Sequence, residues 1–150
     1  MMGYKIAFDP SVNHIGCCSF KDGQVYDART IHRSTTQGNS ELYQYPWVKS
    51  AVRHYFDSIR KDLADPIEVV CVEEFVKGYH INSRQRKCDG ARAVIIAIAW
   101  DYAIEVITLG KGTKKGSKEQ AQTLAERAGL KCDEHAADAY YIGLLAGFDR

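Results

Sequence analysis

At 150 residues, with 45% hydrophobic residues, 26% charged residues and a formal net charge of +1, the chain suits a single globular domain over residues 1–150 and leaves no room for a second. Its longest apolar stretch, AVIIAIAW, is far short of the roughly 20 residues that cross a bilayer, and MMGYKIAFDP enters a strand-like run at once, without a basic leader. A soluble cytoplasmic protein with no membrane partner is therefore expected. The five cysteines include the adjacent Cys17 and Cys18 but no C-x-x-C pair, which favours free thiols over a zinc or redox site.

In chain order, YKIAFD is an apolar strand ending on Asp9. HIGCCSFKDGQVYDARTI holds two β-like runs joined at Asp22-Gly23, a tight-hairpin signal, so three strands open the chain as a meander. Val48, Ala51, Val52, Tyr55, Phe56, Ile59 and Leu63 recur at spacings of three and four and make an amphipathic helix ending before Asp65-Pro66. IEVVCVEEF is nearly continuous in apolar and β-branched residues, as central parallel strands are, and stops at two carboxylates. Ala91, Val94, Ile95, Ile98, Ala99 and Tyr102 form a second helical stripe, and IEVITL is a fifth strand. SKEQAQTLAERAG is a helix with Ser117 as cap and Gly129 as stop. A closing helix follows, DEHAADAYYIGLLAG, whose first charges Asp133 and Glu134 suit a helix N-terminus. This order predicts an α/β fold, a meander extended by parallel strands through crossover helices.

Charge is segregated along the chain. KGYHINSRQRKCDGAR carries Lys77, Arg84, Arg86, Lys87 and Arg92 against Asp89 alone, and KGTKKGSK, with Lys111, Lys114, Lys115 and Lys118, has no acid. Clustered positives on a balanced chain let a polyanion dock on one face; a solvated lysine-rich loop is the other reading.

Ligands of open α/β sheets bind beyond the carboxyl ends of the parallel strands. Asp9 ends the first strand, and Glu73 or Glu74 ends the fourth. In the closing helix His135, Asp138, Ile142 and Leu145 share one stripe, so the apolar end of that stripe carries His135 and Asp138 inward at its start. If the first and fourth strands are neighbours, their ends lie about 5 Å apart and the first turn of the helix can meet them. Three acids and a histidine gathered there would repel without a cation between them, and such oxygen-rich sets suit Mg²⁺ or Mn²⁺.

With IAFDPSVNHIG at the first strand, VCVEEF at the fourth, the lysine-bearing GTKKGSKEQAQTL and the closing HAADAYYIGLLA, the chain resembles the RuvC-type Holliday-junction resolvases of the ribonuclease-H-like superfamily, in a phage-type version. The resemblance implies a five-stranded mixed sheet with helices on both faces. It implies that Asp9, Glu73, His135 and Asp138 hold two divalent metal ions, Mg²⁺ or Mn²⁺, that Lys118 supports cleavage, and that a homodimer cuts two strands of a four-way junction. It places the second acid at Glu73, which follows CV, while the tandem with Glu74 leaves the neighbouring register open. An aromatic residue stacking at the junction centre is implied at Phe75 or Tyr79, and Lys77, Arg84, Arg86, Lys87, Lys111, Lys114 and Lys115 would grip backbone phosphates. Ser11 stands where many members have glycine, which bears on the shape of that turn.

Three rival readings follow from the same residues. A nuclease of this fold could cut RNA or an RNA–DNA hybrid, because an acid cluster does not read the sugar. An actin-like nucleotide-binding module also opens on a strand-ending Asp but needs two such domains. A DNA-binding protein without activity would gain nothing from carboxylates facing phosphates.

Overall fold

The computed structural model describes residues 3–34, 36, 38–61, 65–73, 83–110 and 117–150, apart from the side chains of 61, 83, 84 and 117–119. Five strands, β1 (Tyr4–Asp9), β2 (His14–Lys21), β3 (Gln24–His32), β4 (Ile67–Glu73) and β5 (Glu105–Leu109), form one sheet in the order β3-β2-β1-β4-β5. The meander β1-β2-β3 is antiparallel, and β4 and β5 run parallel to β1. The helices are α1 (Glu41–Lys61), α2 (Ser83–Asp101), α3 (Ser117–Arg127) and α4 (Glu134–Leu145).

Local chemistry explains the junctions. Lys21 pairs with Gln24 across a turn in which Asp22 and Gly23 both take positive φ, 54° and 79°, the backbone that a two-residue hairpin matching the strand twist requires. Helix α1 begins a full turn before its apolar stripe because Ser40 starts it: the Ser40 hydroxyl accepts from the Leu42 amide at 3.2 Å and its carbonyl from the Gln44 amide at 3.0 Å. Helix α2 likewise starts well before Ala91. Helix α3 ends where Gly129, at φ 78°, lets the Leu130 amide reach back to the Ala125 carbonyl at 3.0 Å, as the glycine stop predicts.

Period-two alternation divides the sheet between two cores. Tyr4, Ile6 and Phe8 of β1, with Val70 and Val72 of β4, pack against Val52, Phe56, Ile59, Ile95 and Ile98 of α1 and α2. Ala7, Cys18, Phe20 and Cys71 turn to the opposite face and meet Ala121 and Ala125 of α3 and Ala137, Tyr141 and Ile142 of α4. By the same alternation Asp9, two residues beyond Ala7, and Glu73, two beyond Cys71, lie on the α4 face. Cys17, Cys18 and Cys71 are buried free thiols, and Cys88 and Cys132 are half-buried ones. Among the described residues no helix is long and apolar enough to cross a membrane.

Candidate active site

Strands β1 and β4 are neighbours, as the site requires, and their register pairs Ala7 with Cys71. Carried two residues further along the parallel pair, that register brings Asp9 level with Glu73 at the carboxyl end of the sheet. Helix α4 crosses β1 and β2 with its N-terminus at the same end. The crossing is close at two glycines. A Cβ on Gly16 would fall 2.0 Å from the carbonyl oxygen of His135, and one on Gly143 would fall 2.2 Å from the Phe20 ring. Gly16 therefore lets the first turn of α4 press against β2.

That turn is capped by Asp133, whose carboxylate accepts from the amides of His135 and Ala136, each at 3.1 Å, so the helix-terminal reading of this acid holds. Strand β3 grips the same carboxylate through the Thr30 hydroxyl and through His32 Nε2 at 3.5 Å. Burial works against the charge on Asp133, but the Thr30 hydroxyl and the Ala136 amide, followed by the His135 ring and the His135 amide, outweigh it and hold the carboxyl below its usual range. With the first turn so fixed, Asp138 sits one turn in, only 6% exposed.

Asp9, His135 and Asp138 open onto one cleft of about 490 Å³, which is also lined by Pro10, Ser11, Val12, Asn13, His14, Asn39, Gln44, Lys87 and Cys88. Three of the four expected metal-site residues thus face a common volume, and the fourth, Glu73, reaches the same end of the sheet on the adjoining strand. Among the described residues no three His, Cys, Asp or Glu side chains are arranged as a finished metal site. The donor set itself, carboxylate oxygens and one imidazole at a sheet end, has the hard character that Mg²⁺ or Mn²⁺ prefers.

The amide side chains that line the cleft, Asn13, Asn39 and Gln44, are tightly wired. The Arg33 guanidinium, buried, donates to Asn13 Oδ1 through Nε (3.1 Å) and Nη2 (2.9 Å) and to Asn39 Oδ1 through Nη2 (2.7 Å). Gln44 Nε2 adds a third bond to Asn13 Oδ1 at 3.3 Å. This network holds the turn that leaves Asp9. Ser11 within that turn stays outside the left-handed region, so the glycine usual in the family pattern is not needed here.

The expected phosphate-binding residues divide. Lys87 lines the cleft and donates to the Asn39 carbonyl at 3.1 Å. Arg86 stands outside it and bonds Glu41 Oε1 at 2.9 Å. Arg92, counted in the same basic segment, is buried and ion-paired with Asp89 at 2.5 Å, so it belongs to the helix interior. Lys118 and Arg84 are placed on α3 and α2, but their side chains lie outside the described residues, as do Glu74, Phe75, Lys77, Tyr79, Lys111, Lys114 and Lys115.

Sequence reasoning missed Asn13, His14, Asn39, Gln44 and Cys88. His14 was the legible one, because a histidine opening the strand beside the Asp9 strand must come to the same sheet end as His135; the amides carry no pattern.

A five-stranded mixed sheet in this order, with acids at the carboxyl ends of its neighbouring parallel strands and a closing helix laid across them, is the RuvC-type, ribonuclease-H-like fold. Solved structures bear this out. The chain superposes on RuvC of Thermus thermophilus in complex with a Holliday junction substrate with a TM-score of 0.73 and 21% identity, over 97% of this chain and 93% of that one. A second Thermus thermophilus RuvC structure gives 0.71 and 20% over the same shares, and the yeast mitochondrial Holliday junction resolvase Ydc2 gives 0.58 and 10% over 97% and 77%. No family model and no curated protein matches the sequence.

Proposed function

We propose that this chain is a metal-dependent, structure-selective endonuclease that cleaves four-way junctions and other branched DNA. The observation that carries the reading is the convergence of Asp9, His135 and Asp138 on one cleft at the carboxyl end of the parallel strands, beside Lys87. The fold shared with the junction-bound Thermus thermophilus RuvC supports the substrate class.

Asp9, Glu73, His135 and Asp138 would hold two divalent cations, Mg²⁺ or Mn²⁺. When bound, these ions supply activation of the attacking water and stabilisation of the leaving 3′ oxygen in an in-line displacement that yields 5′ phosphate ends. The chain itself supplies the rest. Capping by Asp133 and close approach of α4 to β2 at Gly16 hold His135 and Asp138 at the cleft, and the Arg33 network fixes the turn after Asp9. Lys87 offers a cation to a backbone phosphate in the cleft, and Lys118, a residue of the resemblance, would stabilise charge developing at the scissile phosphate. Arg84, Lys77, Lys111, Lys114 and Lys115 would add backbone contacts, with Phe75 or Tyr79 stacking at the junction centre.

Symmetric cutting needs two copies. Helix α2 supports a homodimer of this single domain, because the face turned away from the core is also apolar: Ala93, Ala97 and Trp100 are exposed, Trp100 at 69%. A helix apolar on both sides is suited to burial against a partner.

Purified protein incubated with four-way junction, linear duplex, flap and RNA–DNA hybrid, each with Mg²⁺, Mn²⁺ or EDTA, tests the reading. Junction cleavage that needs metal and exceeds duplex cleavage is expected. Preference for the hybrid would transfer the chain to the RNA-cutting alternative.

A further inference from the structure

His14, the first residue of β2, lies ring against ring on His135, with centroids 3.6 Å apart and planes inclined by 32°. The pairing is built into the strands. His14 and Gly16 share the α4 face of β2, and their cross-strand partners on β3 are His32 and Thr30. Thr30 and His32 hold the Asp133 cap, Gly16 admits the His135 backbone, and His14 is left directly against the His135 side chain.

This contact constrains a soft degree of freedom. The outer torsion of a histidine is broad, and beside the Glu134 carboxylate 3.5 Å from its Nε2 the His135 ring has the face of His14 against it; metal-binding histidines are commonly oriented by hydrogen-bonding partners, and a packed ring restricts the same torsion. The groups around His14 are the rings of His135 and His32 and the carboxylates of Asp133 and Glu134.

We infer that His14 is a positioning residue: its ring, stacked on His135, fixes the direction in which that imidazole faces the cleft shared with Asp9 and Asp138, and so sets the affinity of the acid cluster for a divalent cation. The inference rests on the proposed role of His135 as a metal ligand. It distinguishes the flat face of His14 from its nitrogens.

The test compares His14→Phe, which keeps a flat ring, with His14→Leu and His14→Ala, which do not, and uses His135→Ala as control. Binding of Mn²⁺ is read by electron paramagnetic resonance of the free ion, and kcat and KM for a four-way junction are measured at low and saturating Mn²⁺. His14→Leu, which fills space and so guards against simple loss of folding, and His14→Ala should raise the Mn²⁺ dissociation constant by about 10-fold, the lower end of what removing an orienting partner costs. His14→Phe should bind near the wild-type value. The KM for the junction should be unchanged, and kcat in the weakened variants should recover at saturating Mn²⁺.

Equal weakening in Phe, Leu and Ala variants would overturn the inference, because the nitrogens and not the ring face would then matter. Wild-type Mn²⁺ binding in His14→Leu would overturn it too, and if His135→Ala still loses binding, the ligand role of His135 stands without it. Unchanged Mn²⁺ binding in His135→Ala would remove the ligand assignment and this inference together.

Discussion

The two faces of the sheet are packed by different principles. On the α1–α2 face the core is bulky and aromatic: Phe8 meets Tyr55 and Phe56 edge-on at 5.8 and 5.9 Å, and Phe56 meets Tyr102 at 5.3 Å. On the α3–α4 face the strands present small residues, Ala7, Cys18 and Cys71, to Ala121, Ala125, Ala137 and Ala139, and the large side chains gather to one side, where the Phe20 ring meets Tyr140 and Phe148 at 6.0 and 5.8 Å. Large side chains bury much apolar area and hold elements apart, at interaxial distances set by their size. Small ones contribute less area but let backbones approach. The cleft lies at the carboxyl end of the sheet, where Gln44, Lys87 and Cys88 of α1 and α2 face His135 and Asp138 of α4, and on the α4 side closeness matters more than bulk, because small residues let that helix bring His135 and Asp138 to the cleft of Asp9.

The largest loss of stability is expected on the bulky side. Phe56→Ala should cost about 3–5 kcal/mol of stability, read by urea unfolding, while the folded fraction keeps metal-dependent cleavage, since Phe56 is not among the residues lining the cleft. A Phe56→Ala protein that is fully stable would mean that the aromatic core matters less than its burial indicates. Gly16→Ala should reverse the balance. The added Cβ meets backbone, which cannot rotate away, so a cost of about 1–3 kcal/mol for overpacking is expected together with loss of most cleavage as His135 and Asp138 shift. Retained cleavage in Gly16→Ala would show that the close approach is not what positions the site.

Asp133→Ala probes the same clamp more gently. It removes a helix cap with a partner on β3 and should cost about 1 kcal/mol near neutral pH. Because the Asp133 carboxyl titrates below its usual 3.8 when folded, its charge stabilises fully above that value, and the difference between wild type and variant should shrink as pH falls below it. A difference independent of pH would place the effect elsewhere. The smallest effect is expected at Glu74→Gln, which should cleave nearly as wild type where Glu73→Gln does not. The reverse ranking would move the second acid by one residue.

Much of this was legible in sequence because it rests on local rules. Asp22-Gly23 specified the hairpin, Gly129 the end of α3, and the stripe from His135 to Leu145 the face of α4. The parity of β1 and β4, with Ala7 and Cys71 between bulky neighbours, also carries the face on which Asp9 and Glu73 lie. What sequence did not show depends on long-range pairing. The Arg33–Asn13–Asn39–Gln44 network ties Asn13 to residues 20 and 31 positions further on, and no periodicity links them. Arg92 read as one of a basic run because composition cannot tell a cation aimed at solvent from one folded back on Asp89. The early start of α1 escaped the stripe because residues 41–47 include Pro46, which interrupts the helical pattern, although Ser40 supplies the cap.

The cleft of Asp9, His135 and Asp138, completed by Glu73, is proposed as a metal-dependent nuclease centre. The most direct measurement pairs gel-shift binding and cleavage of one four-way junction by wild type and Asp9→Asn in Mn²⁺, with circular dichroism confirming that the variant is folded. Removing this carboxylate takes away a metal donor and a charge that repels phosphate, so the variant should bind the junction at least as well as wild type and leave it uncut. A folded Asp9→Asn protein that cuts at the wild-type rate would contradict the account.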